Sequence, residues 1–329
     1  MKYRNLGQTD LSVSVISMGC WAIVGDSTWG PQDESETIAT IHAALDTGIN
    51  FFDTAEGYGN GYSEELLGRG LGEYRSKAVI ASKVSQSNLR PDQIQAACER
   101  SLLHLNTDYI DLYQIHWPSR QVAFEDSMAA MENLRDQGKI RAIGVSNFGP
   151  QDMDEMLQVG HFQTNQLPYS LLWRTIEHDI QPKCVEHGIG ILPYSLLQQG
   201  LLTGKFTRAD DVPEGRARTR HFSSQRPQAK HGEAGAEAET FSAIKRIQQL
   251  ADMVGHPMEH LALAWLIHQP AVTAVIAGAR NPAQMVANAL AADVSLSEEV
   301  LHALDQATQP LKARMGADPD MWAAESRYR

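Results

Sequence analysis

Short apolar runs alternate with helical patterns along most of the chain, and polar residues or glycines separate them. Residues 33–48 illustrate this, because Asp33 or Ser35 can cap a helix that Gly48 can end in the left-handed conformation. The apolar positions between these signals recur at the i, i+3 and i+7 spacing of one helical face, at Ile38, Ile41 and Leu45. Another helix is predicted to begin at Pro91. The pattern predicts repeated strand and helix units.

Eight of the apolar runs have the length of a strand, and each precedes a helical pattern or a long loop. They are VISMGCW, INFFDTA, AVIASKV, YIDLYQIHW, RAIGVSNF, FQTNQLPYS, IGILPYSLL and TAVIAGAR. Their near-continuous apolar character is typical of a parallel sheet buried on both faces, and their number favours a (β/α)8 TIM barrel, an α/β fold. A doubly wound open sheet is the alternative. The segments KYRNL and LSVSV, around GQTD, predict an N-terminal β-hairpin outside the repeat.

The 329 residues are predicted to form one barrel domain over 1–329. In two segments the apolar residues recur at neither helical nor strand spacing. Residues 207–240 are polar and rich in Arg, Ala and Glu. They predict a mobile loop after the seventh strand, at the end of a barrel where loops commonly cover ligands. Residues 310–329 predict an irregular tail.

The composition narrows the class of protein. The chain has 40 acidic and 28 basic side chains, and the net charge of −12 argues against a nucleic-acid binder. The three cysteines are widely spaced without a C-x-x-C pair, so a reducing, cytoplasmic location is expected. Neither a signal peptide nor a run of about 18 apolar residues occurs, so no membrane span is expected. Metal-ligand motifs, a P-loop and a Rossmann fingerprint are also missing, so no metal site is expected.

Polar side chains interrupt the apolar pattern where the predicted strands end. Barrel enzymes place their catalytic groups at this face, and six strands that end in this way are difficult to explain as structural caps alone. The sequence therefore predicts a site at the C-terminal face of the barrel. The polar residues at the strand ends are Asp53, Lys83, His116, Ser146, Asn147, Gln166 and Tyr194.

Three of these residues and the loop residue Tyr58 form a chemically coherent set. A tyrosine hydroxyl has a pKa near about 10, too high for easy proton transfer at neutral pH, but a nearby ammonium lowers that pKa. Lys83 can supply the ammonium, Asp53 can keep Lys83 charged, and His116 can hydrogen-bond a substrate oxygen. Such a set stabilises a developing alkoxide, which is the task in carbonyl reduction.

A lysine at the end of a barrel strand also permits a second interpretation. It is a possible nucleophile for a Schiff-base aldolase. The carboxylate and tyrosine expected beside Lys83 suit a charged lysine better than a neutral amine.

Several longer strings of this sequence resemble the aldo-keto reductase family. They occur in the family's order and run from about Tyr3 to Leu304, nearly the whole chain. GLLTGK and the GAR-P pattern make bacterial family 11, which includes inositol-operon-type reductases, the nearest subgroup. The strings are GINFFDTAEGYGNGYSEELLG, IASK, TDYIDLYQIHWP, GKIRAIGVSNF, QLPYS, YSLLQQGLLTGK and VIAGARNPAQMVANA.

The resemblance implies a role for each matching residue. Tyr58 would be the general acid, Asp53 and Lys83 would tune it, His116 would orient the carbonyl, and Tyr194 would stack on the nicotinamide ring. The residues implied to hold the nicotinamide carboxamide are Ser146, Asn147 and Gln166. Those implied to line the pyrophosphate are Ser195, Leu197 and the backbone through Lys205.

The nucleotide end of the cofactor needs a separate argument. Many family members carry a lysine where this chain has Gly278, so the 2′-phosphate of NADPH requires another cation. Arg280 is the available one, and Gln284 and Asn288 follow it at i+4 and i+8 on one helical face. Ala287 stands where a glutamate beside the adenine is common. The resemblance therefore implies NADPH as a cofactor preferred over NADH.

The expected activity is hydride transfer between this cofactor and the carbonyl of an aldehyde, ketone or sugar. Trp21, Trp29 and Trp117 are predicted to line the substrate pocket. The expected partner is a small molecule, without nucleic acid or membrane, and both a monomer and a homo-oligomer are possible. The alternative is a cofactor-bound regulatory subunit, because the β subunits of potassium channels resemble the same family.

Overall fold

Each predicted strand is present, and each is shorter than the apolar run that predicted it. The computed structural model describes residues 1–25 and 29–329. Two short strands, β1 (Tyr3–Asn5) and β2 (Ser12–Ser14), precede the repeat. The strands of the repeat are β3 (Ile16–Gly19), β4 (Phe51–Asp53), β5 (Val79–Val84), β6 (Ile110–Ile115), β7 (Ile140–Ser146), β8 (Thr164–Pro168), β9 (Gly190–Tyr194) and β10 (Val275–Gly278).

Helices separate these strands and pack outside them. None of the helices within residues 1–25 and 29–329 is long and apolar enough to cross a membrane. The α-helices are α1 (Glu34–Asp46), α2 (Tyr62–Leu71), α3 (Pro91–Leu105), α4 (Phe124–Asp136), α5 (Pro150–Val159), α6 (Ile180–His187), α7 (Glu237–Val254), α8 (Met258–Ile267), α9 (Pro282–Leu290) and α10 (Glu298–Met315).

The eight strands of the repeat form one parallel sheet in the order β10, β3, β4, β5, β6, β7, β8, β9. A parallel bridge between Ile191 and Val272 joins β9 to the chain that enters β10, so the two edges of the sheet meet. The TIM barrel is confirmed, and the alternative of an open sheet is wrong.

The predicted hairpin covers one end of this barrel. β1 and β2 pair antiparallel, with Arg4 opposite Val13. The apolar side chains of Leu6 and Val13 are fully buried, and they share one cluster with residues such as Phe51 and Val79, where β4 and β5 begin. The hairpin therefore lies at the N-terminal ends of the strands, opposite the C-terminal ends where the sequence predicts the site.

The residues predicted to begin and end helices are found at helix ends. The Asp33 carboxylate accepts a hydrogen bond of 2.9 Å from the main-chain nitrogen of Glu36 and so caps α1. Gly48, just beyond that helix, has a φ of 84°. Pro91 is the first residue of α3, where a missing N–H costs no helical bond.

The prediction of an irregular tail over 310–329 is wrong at its start. Helix α10 continues through Pro310 to Met315. Proline normally disrupts a helix interior because it lacks an N–H, but here an apolar face continues across it. The buried residues of that face are Leu304, Ala307, Thr308 and Leu311. The irregular tail therefore begins at Gly316.

The polar segment predicted over 207–240 also ends earlier, because α7 begins at Glu237. Thr240 is the first of the buried positions of that helix, and they continue at helical spacing with Ala243 and Ile244. Before the helix, the segment contains a short 3-10 turn and packs apolar and polar residues inward, with Phe222 and His221 both buried.

Candidate active site

The C-terminal ends of neighbouring strands bring together the charged residues selected from the sequence. Lys83, at the end of β5, is fully buried. Its Nζ donates to Asp53 Oδ1 at 2.7 Å, to the main-chain oxygen of Thr54 at 2.8 Å and to the hydroxyl of Tyr58 at 3.2 Å. These three acceptors match the three hydrogens of one ammonium group.

The surroundings of Lys83 determine its charge. Burial disfavours the ammonium, but Asp53 and Tyr58 outweigh that effect and hold the pKa of Lys83 above its ordinary value. The side chain is therefore charged at neutral pH. A Schiff-base nucleophile must first lose this proton, so the geometry argues against the aldolase interpretation.

The protonation of Tyr58 differs from the sequence-based expectation. Burial raises the pKa of Tyr58, and the ammonium of Lys83 offsets only part of that increase. The expectation of a lowered pKa is wrong, because the local sequence does not reveal how far the hydroxyl is removed from solvent. Tyr58 keeps its proton at neutral pH, which suits a proton donor.

His116 follows β6 and faces the same tyrosine. Its ring centroid lies 5.7 Å from that of Tyr58, and the two rings are nearly perpendicular. Burial and the charge of Lys83 lower the pKa of His116 to about 3. The imidazole is therefore neutral at physiological pH, and it can donate one ring N–H without carrying a charge.

The residues expected at the nicotinamide carboxamide lie beside this group, at the ends of β7 and β8. Gln166 Nε2 donates to Asp53 Oδ2 at 2.7 Å, and Ser146 Oγ donates to the main-chain oxygen of Gln166 at 3.0 Å. The structure thus joins the two sets of sequence-selected residues through the carboxylate of Asp53.

The side chain of Asn147 already has a partner for each of its polar atoms. Its Oδ1 accepts from the hydroxyls of Tyr194 at 2.8 Å and Tyr328 at 2.6 Å. Its Nδ2 donates to the main-chain oxygen of His116 and to Ser146 Oγ, both at 3.0 Å. Any contact between Asn147 and a carboxamide has to replace one of these four bonds.

Two cations approach the loop that follows β9. Ser195 and Gly200 have φ values of 57° and 92°, and a Cβ placed on Gly200 would lie 2.9 Å from Lys205 Nζ and 3.4 Å from an Arg216 nitrogen. Within residues 1–25 and 29–329, neither cation is in a salt bridge. Burial lowers the pKa of Lys205, and the positive charge of Arg216 lowers it further. Leu197 precedes the short 3-10 segment of this loop.

Arg280 lies at a distance from the catalytic set, between β10 and α9, and the segment 29–32 holds it. Its Nε donates to Gln32 Oε1 at 2.9 Å, and its terminal nitrogens donate to the main-chain oxygens of Trp29 at 2.7 Å, Gly30 at 3.4 Å and Pro31. Gln32 Nε2 returns a bond of 2.8 Å to the main-chain oxygen of Arg280. The guanidinium that sequence analysis selected for a phosphate thus has partners within the protein.

The other residues expected at the nucleotide end lie next to Arg280. Gln284 Oε1 accepts from the main-chain nitrogen of Arg280 at 2.9 Å, and Asn288 Nδ2 donates to the main-chain oxygen of Gly278 at 3.1 Å. Gly278 is exposed, and a Cβ placed there would meet no atom of residues 1–25 and 29–329 within 4 Å. The end of β10 therefore leaves room for a bulky group.

The tryptophans expected at the substrate pocket lie close to residues of the catalytic set. Trp21 is stacked beside Tyr58, with ring centroids 5.9 Å apart, and Trp29 meets Trp21 edge to face at 5.4 Å. Trp117 directly follows His116 in the chain and is partly buried.

Sequence analysis missed three residues of this region. Arg216 belongs to the polar segment predicted to cover ligands, and the arginine content of that segment was the available signal. Gln32 and Tyr328 carry no local signal, because their partners Arg280 and Asn147 are 248 and 181 positions away.

Comparison with known proteins assigns this arrangement to a family. The family model described as "Aldo/keto reductase family" matches residues 15–309. Aldo-keto reductase YhdN of Bacillus subtilis is 38% identical over 298 residues, which cover 87% of each chain. The NADH-specific methylglyoxal reductase of Escherichia coli is 34% identical over 321 residues, 91% of this chain and 95% of the relative. A probable voltage-gated potassium channel subunit beta of Arabidopsis thaliana is 30% identical over 329 residues, 94% of this chain and 97% of the relative.

Solved structures show the same likeness. The glycerol dehydrogenase AKR11B4 from Gluconobacter oxydans superposes with a TM-score of 0.80 at 35% identity, over 96% of this chain and 97% of the other. An aldo-keto reductase from Klebsiella pneumoniae in complex with NADPH has a TM-score of 0.74 at 28% identity, over 98% of both chains. The predicted proximity to bacterial family 11 is confirmed.

Proposed function

Because the chain belongs to the aldo/keto reductase family, we propose that it is an NADPH-dependent oxidoreductase acting on the carbonyl of an aldehyde, ketone or sugar. The observation that carries the proposal is the hydrogen-bonded set of Asp53, Lys83 and Tyr58, with the ring of His116 beside it. When bound, NADPH supplies the hydride from its nicotinamide ring. The protein supplies the proton and the positions of the reacting groups.

Tyr58 is the general acid in this proposal. The hydroxyl is protonated at neutral pH, and Lys83 lies 3.2 Å from the oxygen on which negative charge develops when the proton leaves. Asp53 stabilises the lysine charge and so makes it available at that moment. In the reverse direction, oxidation of an alcohol, the same oxygen accepts the proton.

His116 orients the carbonyl. A neutral imidazole can donate a hydrogen bond to the substrate oxygen without competing with Tyr58 as an acid, and the low pKa of His116 keeps it neutral. Trp21, Trp29 and Trp117 supply apolar faces around that carbonyl. These faces accommodate aromatic or sugar-like substrates, and they do not select one.

The residues around the strand ends fit a dinucleotide. Lys205 and Arg216 converge on Gly200 without an acidic partner among the described residues, which suits an anionic pyrophosphate. Ser195 and Leu197 lie in the same loop. Tyr194 is placed beside Asn147 for the nicotinamide ring, and Ser146, Asn147 and Gln166 are the groups for its carboxamide, with one bond of Asn147 exchanged.

At the nucleotide end, Arg280 takes the 2′-phosphate and so sets the preference for NADPH. Open space at Gly278 admits the adenosine, and Gln284 and Asn288 lie beside it. The phosphate has to replace the main-chain carbonyl oxygens of segment 29–32 that now accept hydrogen bonds from Arg280.

The three cysteines are all unpaired, which fits a cytoplasmic location.

A cofactor-bound regulatory subunit is the second candidate, because a potassium channel subunit beta is among the relatives. The two functions differ in turnover. We propose titrating the protein with NADPH and with NADH while following tryptophan fluorescence, and then adding a panel of aldehydes, ketones and sugars to the complex.

We expect NADPH to bind more tightly than NADH and to be oxidised only when a carbonyl compound is present. Binding without turnover across the panel favours the regulatory subunit. Failure to bind either nucleotide contradicts both functions.

A further inference from the structure

We propose that Arg327 and Tyr328, in the segment 318–328 after α10, are positioning residues for His116 and Trp117. The proposal rests on the proposed function, because its consequence is for the carbonyl-orienting role of His116. The segment is the one that sequence analysis treated as an irregular tail.

The first contact runs from Tyr328 through Asn147 to His116. The hydroxyl of Tyr328, a side chain only 7% exposed, donates to Asn147 Oδ1, and Asn147 Nδ2 donates to the main-chain oxygen of His116. Asn147 has a φ of 63°. Asparagine adopts this left-handed conformation more readily than most side chains, and Tyr328 supplies one of the bonds that hold its amide in place.

The second contact runs from Arg327 to Trp117. The guanidinium carbon lies 4.0 Å from the centroid of the Trp117 ring, in a cation–π arrangement. The ring of Tyr328 meets the same indole edge to face at 5.5 Å. Arg327 and Tyr328 therefore both contact Trp117 directly, and Tyr328 is linked to His116 through Asn147.

A buried carboxylate fixes the orientation of Arg327. Asp320 is fully buried, and its two oxygens accept from Arg327 Nε at 2.7 Å and from a terminal nitrogen of Arg327 at 2.9 Å. Burial opposes the charge of Asp320, but these bonds hold the pKa of Asp320 below its ordinary value. A two-pronged pair of this kind defines the plane of the guanidinium and so its approach to Trp117.

The segment is also held from the opposite side of the site. The main-chain oxygen of Met321 accepts from the nitrogen of Arg220 at 2.9 Å, in the loop after β9. The ring of Trp322 is parallel to that of Tyr194, with centroids 6.3 Å apart. The segment thus contacts Trp117 through Arg327 and Tyr328, and it contacts β9 and the loop that follows it through Met321 and Trp322. It can therefore hold His116 and Trp117 in place relative to that loop.

The test is Tyr328→Phe, which removes one hydroxyl and keeps the ring on Trp117. Without that donor Asn147 is less firmly fixed, so His116 is placed less accurately when charge develops on the substrate oxygen. We expect kcat to fall about fivefold to tenfold, with the KM of the carbonyl substrate and the Kd of NADPH each changed by less than about twofold.

The matched control is Tyr3→Phe. The hydroxyl of Tyr3 donates a bond of 2.7 Å to the main-chain oxygen of Gly48, at the hairpin end of the barrel. We expect its kcat to equal that of the wild type. An unchanged kcat in Tyr328→Phe, or an equal loss in both variants, overturns the proposal. A loss of NADPH affinity that parallels the loss of kcat also overturns it, because Tyr328 then acts through the cofactor.

Hydrogen exchange measured by mass spectrometry tests the same coupling independently of turnover. We expect Tyr328→Phe to accelerate exchange in peptides that cover 110–120 as well as in those that cover 318–328. Faster exchange in the tail alone contradicts the coupling. If the wild type shows no turnover, the proposed function fails, and the exchange result still decides whether the tail positions His116.

Discussion

The reaction centre and the nucleotide end of this barrel are built in different ways. At the reaction centre, Lys83 and Asp53 are buried and bond to each other between the neighbouring strands β5 and β4. At the nucleotide end, Arg280 is partly exposed and is held by a segment from the other end of the sequence. The bonds of the first region are already formed within the protein, whereas a phosphate that bound Arg280 as proposed would displace protein contacts.

The difference affects what each region contributes to binding and to rate. Bonds that exist before the substrate arrives need no reorganisation during the reaction, so we expect the set around Lys83 to act on the transition state. In the proposed function, the bonds of Arg280 to Trp29, Gly30 and Pro31 would be exchanged for bonds to the 2′-phosphate, which would offset part of the interaction energy of the phosphate. Substitutions at the two regions should therefore change different measured quantities.

The largest effect is expected for Tyr58→Phe. The change removes the proton donor and leaves the cofactor contacts in place. Since a positioned general acid contributes about 10²- to 10⁴-fold, we expect kcat to fall within that range while the Kd of NADPH changes by less than about twofold. Steady-state rates at saturating NADPH and fluorescence titration measure the two quantities.

Tyr62→Phe is the control for this experiment, because its hydroxyl contacts Glu34 at the surface. It should behave as the wild type. Normal turnover in Tyr58→Phe, or a loss of NADPH binding as large as the loss of rate, contradicts the assignment of Tyr58 as the acid.

The sequence predicted most of the reaction centre, because its residues other than the loop residue Tyr58 are the polar ends of apolar runs. In a parallel barrel the strand ends meet at one face, so Asp53, Lys83 and His116 could be placed together without knowledge of any distance. The pKa of Tyr58 was predicted in the wrong direction, because its degree of burial depends on residues distant in sequence.

The sequence predicted the nucleotide end and the tail less well. The bond between Arg280 and Gln32 and that between Tyr328 and Asn147 each join distant segments, and nothing in the local pattern of either segment specifies its partner. The extent of α10 was missed because Pro310 is a helix-breaking signal that the apolar face of the helix overrides.

The next largest effect is expected at the nucleotide end, for Arg280→Ala. Charge-assisted hydrogen bonds contribute about 1.5–3 kcal/mol each, and the exchange with segment 29–32 offsets part of that. We expect the Kd of NADPH to rise about tenfold to a hundredfold and that of NADH to change by less than about threefold. Measured Kd values for both cofactors check this. We also expect kcat at saturating cofactor to stay close to the wild-type value.

Arg135→Ala is the control, because Arg135 pairs only with Glu132 on the surface of α4 among the described residues. Equal weakening of NADPH and NADH by Arg280→Ala means that Arg280 does not discriminate between the cofactors.

Lowering the pH should also affect the two regions differently, through the Kd of NADPH at the nucleotide end and through kcat at the reaction centre. A phosphate monoester loses its second charge below about pH 6, so the Kd of NADPH should rise by up to about tenfold between pH 7.5 and 5, while that of NADH stays flat. The pKa of His116 is lowered to about 3, so it remains neutral over this range. With NADPH saturating, the pH profile of kcat should therefore contain no step near the ordinary histidine pKa.

The same lowered pKa has a consequence for stability. An unfolded His116 takes up a proton below about pH 6.5, but the folded one does not until near pH 3. The free energy of unfolding should therefore fall as the pH decreases from about 6.5, and denaturant titrations at several pH values measure this. A step in kcat near pH 6.5, together with stability that does not fall, would mean that His116 is charged in the folded protein.

The smallest effect is expected for Gly149→Ala, which disturbs the docking of the tail without touching either region directly. A Cβ at Gly149 would lie 2.7 Å from the main-chain nitrogen of Arg329, and its φ of −79° suits alanine, so the effect comes from this collision alone. We expect kcat/KM to fall about twofold to fivefold, because His116 and Trp117 are held less firmly, with the ratio of the NADPH and NADH Kd values unchanged. Gly232→Ala, where a Cβ meets no atom of the described residues within 4 Å, is the control. A changed cofactor ratio in Gly149→Ala would show that the tail also acts on the nucleotide end, and the two regions would then not be independent.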